Sequence, residues 1–284
     1  MAEKFKVEKN TKLLDFLFLK LHSWPKKKVK QRLQNASVRV NDIMQNKHDF
    51  ALKTDDLVEI GVINKSSSSS SFKSLEIIYQ DKDVVLINKP SGLLSVSSAS
   101  ENKEHALAIL RKQLSRGQNK IALWPVHRLD RDTSGLLLFA TSKEKRELIM
   151  DKWPLSTKTY LTIVHGILKV KKSTINEPLR LDEKIYKMHV GEHKDAKEAI
   201  THYEVIQEKN KRSLLKVNLE TGRQHQIRAH MAYMGHSVIG DERYGKNGPR
   251  MALHASALTF YHPKDDKKIS FKQDAPKDFY DLLF

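Results

Sequence analysis

Apolar residues recur along this 284-residue chain in two rhythms. Near the N-terminus the spacing is helical: Leu13, Leu14, Leu17 and Leu21 share one face of a helix that Thr11 is placed to cap. A second helix is expected at Pro25, a residue suited to a first turn, with Val29 and Leu33 facing inward. Val38–Arg39–Val40–Asn41 alternates as a strand does, and Asp55–Asp56 reads as a turn before a strand over Leu57–Ile60. Six consecutive serines, Ser66–Ser71, bury nothing and predict a flexible linker. The pattern divides the chain into a small α/β module over 1–63, a Ser-rich linker over 64–73 and a large domain over 74–284.

In the large domain the rhythm changes to that of strands. Leu75–Tyr79 and Val84–Asn88 read as two strands joined by the turn Gln80–Asp83, and Leu136–Ala140 is a wholly apolar strand. Ser142–Asp151 has helical composition with Ser142 as cap. Thr159–His165, Thr201–Ile206 and Ser213–Leu219 read as strands, and His225–Tyr233 as a helix. This irregular order does not suit a doubly wound parallel sheet. It predicts an α+β fold on a mixed, mostly antiparallel sheet.

Charge narrows the possible partners. Lys and Arg total 51 against 34 Asp and Glu, a net charge of +17. Lys26, Lys27, Lys28, Lys30 and Arg32 line the second helix without one intervening acid. A rigid helix presenting such a row suits RNA phosphates. No basic amphipathic helix of interfacial length stands out, so nucleic acid is favoured over a membrane surface. The absence of cysteine excludes disulfides, thiolate nucleophiles and cysteine-ligated metal, and fits a reducing cytosol. The N-terminal MAEKFKVEKN lacks the apolar stretch of a secretory signal, and no run of about eighteen apolar residues exists. A cytoplasmic protein without a membrane partner is expected.

Two polar clusters are candidates for chemistry. Val126–His127–Arg128–Leu129–Asp130–Arg131–Asp132–Thr133–Ser134–Gly135 runs directly into the apolar strand, which places several charges at the edge of a core. In Glu220–His230, Gly222 would permit a tight turn, and Gln224 with Arg228, like Gln226 with His230, would share a helix face. An inward Arg228 needs an anion, and a carboxylate such as Asp130 would answer through a bidentate pair, although spacing alone cannot establish that pairing. A metal-dependent hydrolase using His225, His230, His236 and His254 is a competing class, but no H-E-x-x-H or H-x-H spacing supports it.

The stretch His127–Gly135 resembles the "HRLD-x-x-TSG" loop of the RluA family of pseudouridine synthases. Asn88–Lys89–Pro90–Ser91–Gly92, Lys158–Thr159–Tyr160, Thr221–Arg228, Gly235–His236 with Gly240–Asp241, Tyr244–Gly245, Leu253–His254–Ala255 and His262–Pro263 are similar to further family blocks, in the family's order. Gln224 stands where Thr is usual, and Ser256 where an aromatic is frequent. The resemblance covers about 75–284. It implies a cofactor-independent isomerase that converts uridine to pseudouridine in structured RNA after flipping the base. Asp130 would be the catalytic aspartate and Tyr160 would pack on the uracil. Arg228 would pair with Asp130, while Arg128, His127, Arg223 and His225 would contact RNA. The segment in front resembles the small RNA-binding module shared by a ribosomal small-subunit protein and tyrosyl-tRNA synthetases, through its paired helices and Asn35–Asn41, with Ala36 or Ser37 in place of the usual Gly. That combination favours large-subunit ribosomal RNA over transfer RNA as partner, with the enzyme a monomer. A non-catalytic RNA-binding or ribosome-assembly protein on the same scaffold is the alternative.

Overall fold

The computed structural model describes residues 3–34, 38–41, 43–45, 48–60, 72–97, 104–115, 121–183 and 185–284. The serine run, Asn35–Ser37 and the side chains of Lys27 and Arg32 lie outside the described residues. The chain forms two compact units, Met1–Ser70 and Ser71–Phe284.

The small unit contains β1 (Glu3–Lys6), β2 (Thr11–Lys12), α1 (Leu13–Lys20), α2 (Lys26–Gln34), β3 (Val38–Val40), β4 (Ile43–Met44), β5 (Ala51–Leu52) and β6 (Leu57–Ile60). Its main sheet is antiparallel, in the order β1-β6-β3-β4, and β2 pairs with β5. Leu13, Phe16 and Leu17 of α1 meet Val29 and Leu33 of α2 and the inward Val38, Val40, Val58 and Ile60, all buried. Thr11 does not cap α1. It lies in β2 opposite Leu52, and Lys12 takes the cap position without a side-chain bond. The backbone replaces the cap, because the amides of Leu13 and Leu14 donate to the carbonyls of Phe50 and His48. The Pro25 carbonyl accepts from the amides of Lys28 and Val29 at the start of α2.

The large unit follows as β7 (Glu76–Gln80), β8 (Val84–Lys89), α3 (Ala106–Leu114), β9 (Trp124–Pro125), β10 (Ser134–Ala140), α4 (Lys143–Asp151), β11 (Thr157–His165), β12 (Lys172–Asn176), β13 (Leu179–Asp182), β14 (Lys187–Val190), β15 (Ile200–Lys209), β16 (Arg212–Leu219), α5 (Gln226–Tyr233), β17 (Leu253–Tyr261), β18 (Lys268–Lys272) and α6 (Lys277–Tyr280). A ten-stranded sheet runs β12-β15-β16-β11-β17-β10-β8-β7, with β18 on β17 and β9 on β10. Its pairs are antiparallel except β10 with β17. The α+β expectation of a mixed, mostly antiparallel sheet is met.

β10 reads as an unbroken apolar run because both its faces are covered. Leu137 and Phe139 pack with α3, while Leu136, Leu138 and Ala140 pack with Ile149 of α4 and Phe260 of β17. At the parallel joint Gly135 sits opposite Ala255, and a Cβ on Gly135, whose φ is +110°, would lie 2.3 Å from the Ala255 carbonyl oxygen. Only glycine permits that approach. Ala255 in turn pairs with Tyr160 of β11. The joint therefore brings the loop before β10 beside Tyr160. Ser142 caps α4 as expected, accepting the Lys145 amide at 3.1 Å.

Candidate active site

Asp130 lies on the loop between β9 and β10, and four side chains fix that loop. Ser95 Oγ accepts the Leu129 amide at 3.0 Å and donates to the Leu129 carbonyl at 2.8 Å. Ser91 Oγ donates to the Asp132 carbonyl. Lys89, fully buried at the end of β8, donates to the carbonyls of Pro90, Leu93 and Arg131 at 2.8, 2.7 and 3.0 Å. Burial pulls the Lys89 ammonium down to about 7, against the opposing pull of Asp132 and Asp130. His127 is the fourth anchor. Its Nε2 accepts the Leu138 amide at 3.2 Å and its ring stacks on Trp153 at 5.1 Å. Burial, reinforced by the Lys158 charge, pushes it down to about 3, so it is neutral.

Arg228 projects from α5 and uses three of its N–H groups. Nε and Nη2 donate to the two oxygens of Asp241 at 2.7 and 2.9 Å, and Nη1 donates to Asp130 Oδ2 at 2.8 Å. The bidentate partner is therefore Asp241, and Asp130 receives a single charged bond. The pair is deeply placed, since the Asp241 side chain is 0% and that of Arg228 10% exposed, against 21% for Asp130. Burial alone would raise Asp241, but the Arg228 hydrogen bonds and charge, with the amides of Tyr244 and Arg243, hold it below the usual carboxylate range. Burial likewise opposes the charge on Arg228, and its two carboxylates more than restore it. Gly240 makes the turn that delivers Asp241: at φ +73° its Cβ would lie 1.9 Å from the Arg250 carbonyl oxygen.

The entry to α5 differs from expectation. Gly222 keeps an ordinary backbone, and His225 at the cap position takes the left-handed conformation at φ +50°. Gln224 precedes the helix, so it shares no helical face with Arg228. Gln226 and His230 do share one, and both bond Thr201 Oγ1. Tyr244 Oη receives the Met188 amide and lies 3.1 Å from His225 Nδ1. Its own proton can go to that nitrogen, which leaves the imidazole proton on Nε2, 3.8 Å from Asp130 Oδ2. Burial pushes His225 down to about 4 despite Asp130.

Arg128, Asp130, Tyr160, Arg223, His225 and Arg228 line one cavity open to solvent, with apolar walls that include Leu129, Leu219 and Leu253. Asp130 Oδ1 takes no hydrogen bond from the described residues and is free to meet a ligand. Burial, with the Asp130 charge, raises the Tyr160 phenol, so it stays protonated. Arg223 donates through Nε to the Glu198 carbonyl. His127 is not among the residues lining the cavity, and its Nε2 is taken by the Leu138 amide. Lys26, Lys28 and Lys30 are exposed on α2 of the small unit.

Sequence reasoning missed Asp241 and Lys89 as parts of the site. The signal for Asp241 was the need of a buried guanidinium for a second anion. Lys89 lay in a block that resembles the family, but its residue type gave no sign of burial, since lysines are usually exposed. His225, His230, His236 and His254 serve separate bonds, to Tyr244, to Thr201 and the Glu177 carbonyl, to the His165 carbonyl, and to Ser134 and the Gln273 carbonyl. Among the described residues no group of three His, Asp or Glu side chains is placed to hold a metal ion. Nor is any described helix long and apolar enough to cross a membrane.

Residues 83–233 match the family described as RNA pseudouridylate synthase. An uncharacterised RNA pseudouridine synthase of Mycoplasma genitalium is 32% identical over 277 residues, covering 92% of this chain and 88% of that protein. The ribosomal large subunit pseudouridine synthase C of Buchnera aphidicola subsp. Acyrthosiphon pisum is 31% identical, covering 96% of this chain and 93% of the relative. The tRNA pseudouridine synthase C of Vibrio vulnificus is 32% identical, covering 74% and 94%. Among solved structures, human RNA pseudouridylate synthase domain containing 1 superposes with a TM-score of 0.63 at 23% identity, over 74% of this chain and 87% of its own.

Proposed function

We propose, for a chain that belongs to the RNA pseudouridylate synthase family, that the Asp130 cavity converts specific uridines of large-subunit ribosomal RNA to pseudouridine. The observation that carries the reading is the Asp241–Arg228–Asp130 array, which points a carboxylate with a free oxygen into a cavity walled by Tyr160.

The reaction breaks the bond from uracil N1 to ribose C1′, rotates the base and forms a C5–C1′ bond. The proton at C5 leaves and N1 gains one, so electrons balance without an external oxidant or group donor. Asp130 acts at the ribose side of the glycosidic bond, as base or covalent nucleophile. Arg228 orients it through the hydrogen bond from Nη1 to Oδ2. Tyr160, a protonated aromatic, packs on the uracil ring. The uridine must leave its stack to enter, at a cost of a few kcal/mol that is least in loops. The exposed Arg128 is positioned to fill the gap left behind. Arg223 and His225 contribute RNA contacts at the cavity wall, and Lys26, Lys28 and Lys30, with Lys27 and Arg32 on the same segment, would hold phosphates through the small unit.

Ribosomal RNA is favoured because the relative named for it matches 96% of the chain. The relative named for transfer RNA leaves about a quarter unmatched, close to the size of the small unit. The reading carries a cytoplasmic, monomeric enzyme. Tritium release from RNA labelled at uridine C5 tests it, with large-subunit ribosomal transcripts and transfer RNA compared side by side. Release is expected mainly from the ribosomal transcripts and is expected to vanish in Asp130→Asn while RNA binding persists. Undiminished release in that variant would remove Asp130 from the chemistry, and faster release from transfer RNA would reassign the substrate.

A further inference from the structure

Strands β13 and β14 pair from Leu179 opposite Val190 to Asp182 opposite Lys187 as a two-stranded hairpin outside the ten-stranded sheet, and Leu179 also bridges Lys197. Its base is anchored, because Leu179 and Met188 are buried against Ala199 and against Ala229 of α5. Its tip carries two exposed hydrophobic residues, Ile185 at 56% and Tyr186 at 47%. Tyr186 has φ +52°, a left-handed conformation that a bulky side chain rarely adopts and that Gly or Asn fills more easily in a plain turn. Arg243 holds this conformation. Its Nη1 donates to the carbonyls of both Ile185 and Tyr186, and its guanidinium carbon lies 5.7 Å from the Tyr186 ring centroid. The Tyr186 ring meets that of His225 edge-on, at 6.2 Å and 82°. His225 is a wall of the cavity, with Nε2 3.8 Å from Asp130. An exposed aromatic, braced by a cation, thus stands one ring away from the carboxylate.

We infer that Tyr186, with Arg243 beside it, is a stacking platform for a nucleobase flanking the uridine that enters the cavity. The inference rests on the pseudouridine synthase reading. Extruding one nucleotide leaves its neighbours without a stacking partner, and an exposed tyrosine at the rim offers them a π-face whatever their sequence. The Arg243 guanidinium adds a cation beside the ring. The target base itself has Tyr160, so the outer ring is available to a neighbour. A tyrosine that merely covered His225 would not need an exposed face or a braced left-handed backbone.

The test measures filter-binding affinity and tritium release on the same C5-labelled ribosomal and transfer RNA transcripts, for the full-length wild type and for Tyr186→Ala, Tyr186→Phe and Tyr186→Trp. Salt is kept high enough to suppress phosphate-only binding. Tyr186→Ala is expected to raise Kd and KM about tenfold, equivalent to about 1.4 kcal/mol, with kcat within about twofold. Phe and Trp are expected to preserve the wild-type Kd. An unchanged Kd in Tyr186→Ala overturns the platform, as does a loss in Trp equal to that in Ala. A fall in kcat with Kd unmoved also overturns it and makes Tyr186 a support of His225. Absence of tritium release in the wild type, with the Kd effect present, removes the enzymatic reading and leaves the platform standing.

Discussion

Asp241→Asn isolates what the buried guanidinium pair contributes. Asp241 is fully buried and accepts two N–H groups from Arg228 plus the amides of Arg243 and Tyr244. The amide replacement keeps the shape, turns an N–H₂ toward a guanidinium that can only donate, and removes the charge that Arg228 faces at its deepest point. Losing one partner of a buried pair costs about 3–5 kcal/mol, and with Arg228 at 10% exposure solvent does little to reduce that. For a unit of this size each kcal/mol lowers Tm by roughly 2–4 °C, so a fall of about 6–20 °C is expected. Asp130→Asn loses one charged hydrogen bond at a partly exposed site, and is expected to cost no more than about 1.5 kcal/mol. The two variants should therefore separate: Asp241→Asn mainly loses stability, and Asp130→Asn mainly loses tritium release. The acid limb gives a second reading. Because the folded Asp241 is held below its ordinary value of about 3.9, its contribution is complete above that pH and is lost as pH falls through the depressed folded value. Calorimetry at neutral pH and down the acid limb checks both points. An Asp241→Asn protein melting within about 2 °C of wild type, with an unchanged acid limb, would refute the clamp.

Two further outcomes follow from the geometry. Lys89→Met removes the donor to three carbonyls around the Asp130 loop and is expected to lower tritium release by reducing kcat while leaving RNA affinity intact. Since Lys89 is pulled down to about 7 in the fold against about 10.4 when unfolded, wild-type stability should gain from this group as pH rises through that window, and denaturant melts of the Met variant should lack that gain. Neutralising Lys26, Lys28 and Lys30 together is expected to weaken RNA binding and to flatten the slope of log affinity against log salt by about 0.7–0.9 for each phosphate no longer neutralised, with an unchanged slope showing that these lysines are only solvated.

The strands that the sequence made legible are the ones whose burial is regular. β8 and β10 are apolar because both faces are covered, and β11, β15 and β16 keep enough alternation to be recognised. The helix α3 passed unread although its apolar residues keep a helical spacing, and its stabilisation comes from Leu107, Ile109 and Leu110 packing into the core. The parallel register of β10 and β17 joins residues 120 apart, which no local pattern encodes. In the site, the aspartate loop and the α5 arginine were visible as charges at the edge of apolar runs. Which acid filled the guanidinium fork was not, because Asp241 reaches it through the Gly240 turn rather than along a helix face. His127 shows the same boundary, since adjacency to Arg128 and Asp130 in the chain says nothing about which way the ring turns.

The parallel joint also sets when the molecule can act. Ser134 and His254 meet across 120 residues, and closing a loop of that length costs about 4 kcal/mol of chain entropy before packing offsets it. A chain emerging from its N-terminus can form the β7–β8–β10 meander early, with the Asp130 loop already attached to it. Arg228 and Asp241 come later, and the strand that seats Tyr160 beside Gly135 comes later still. Synthesis must pass Ala255 before the carboxylate, the ring and the guanidinium can share one wall, so the half-made protein carries the Asp130 loop before the wall it faces exists.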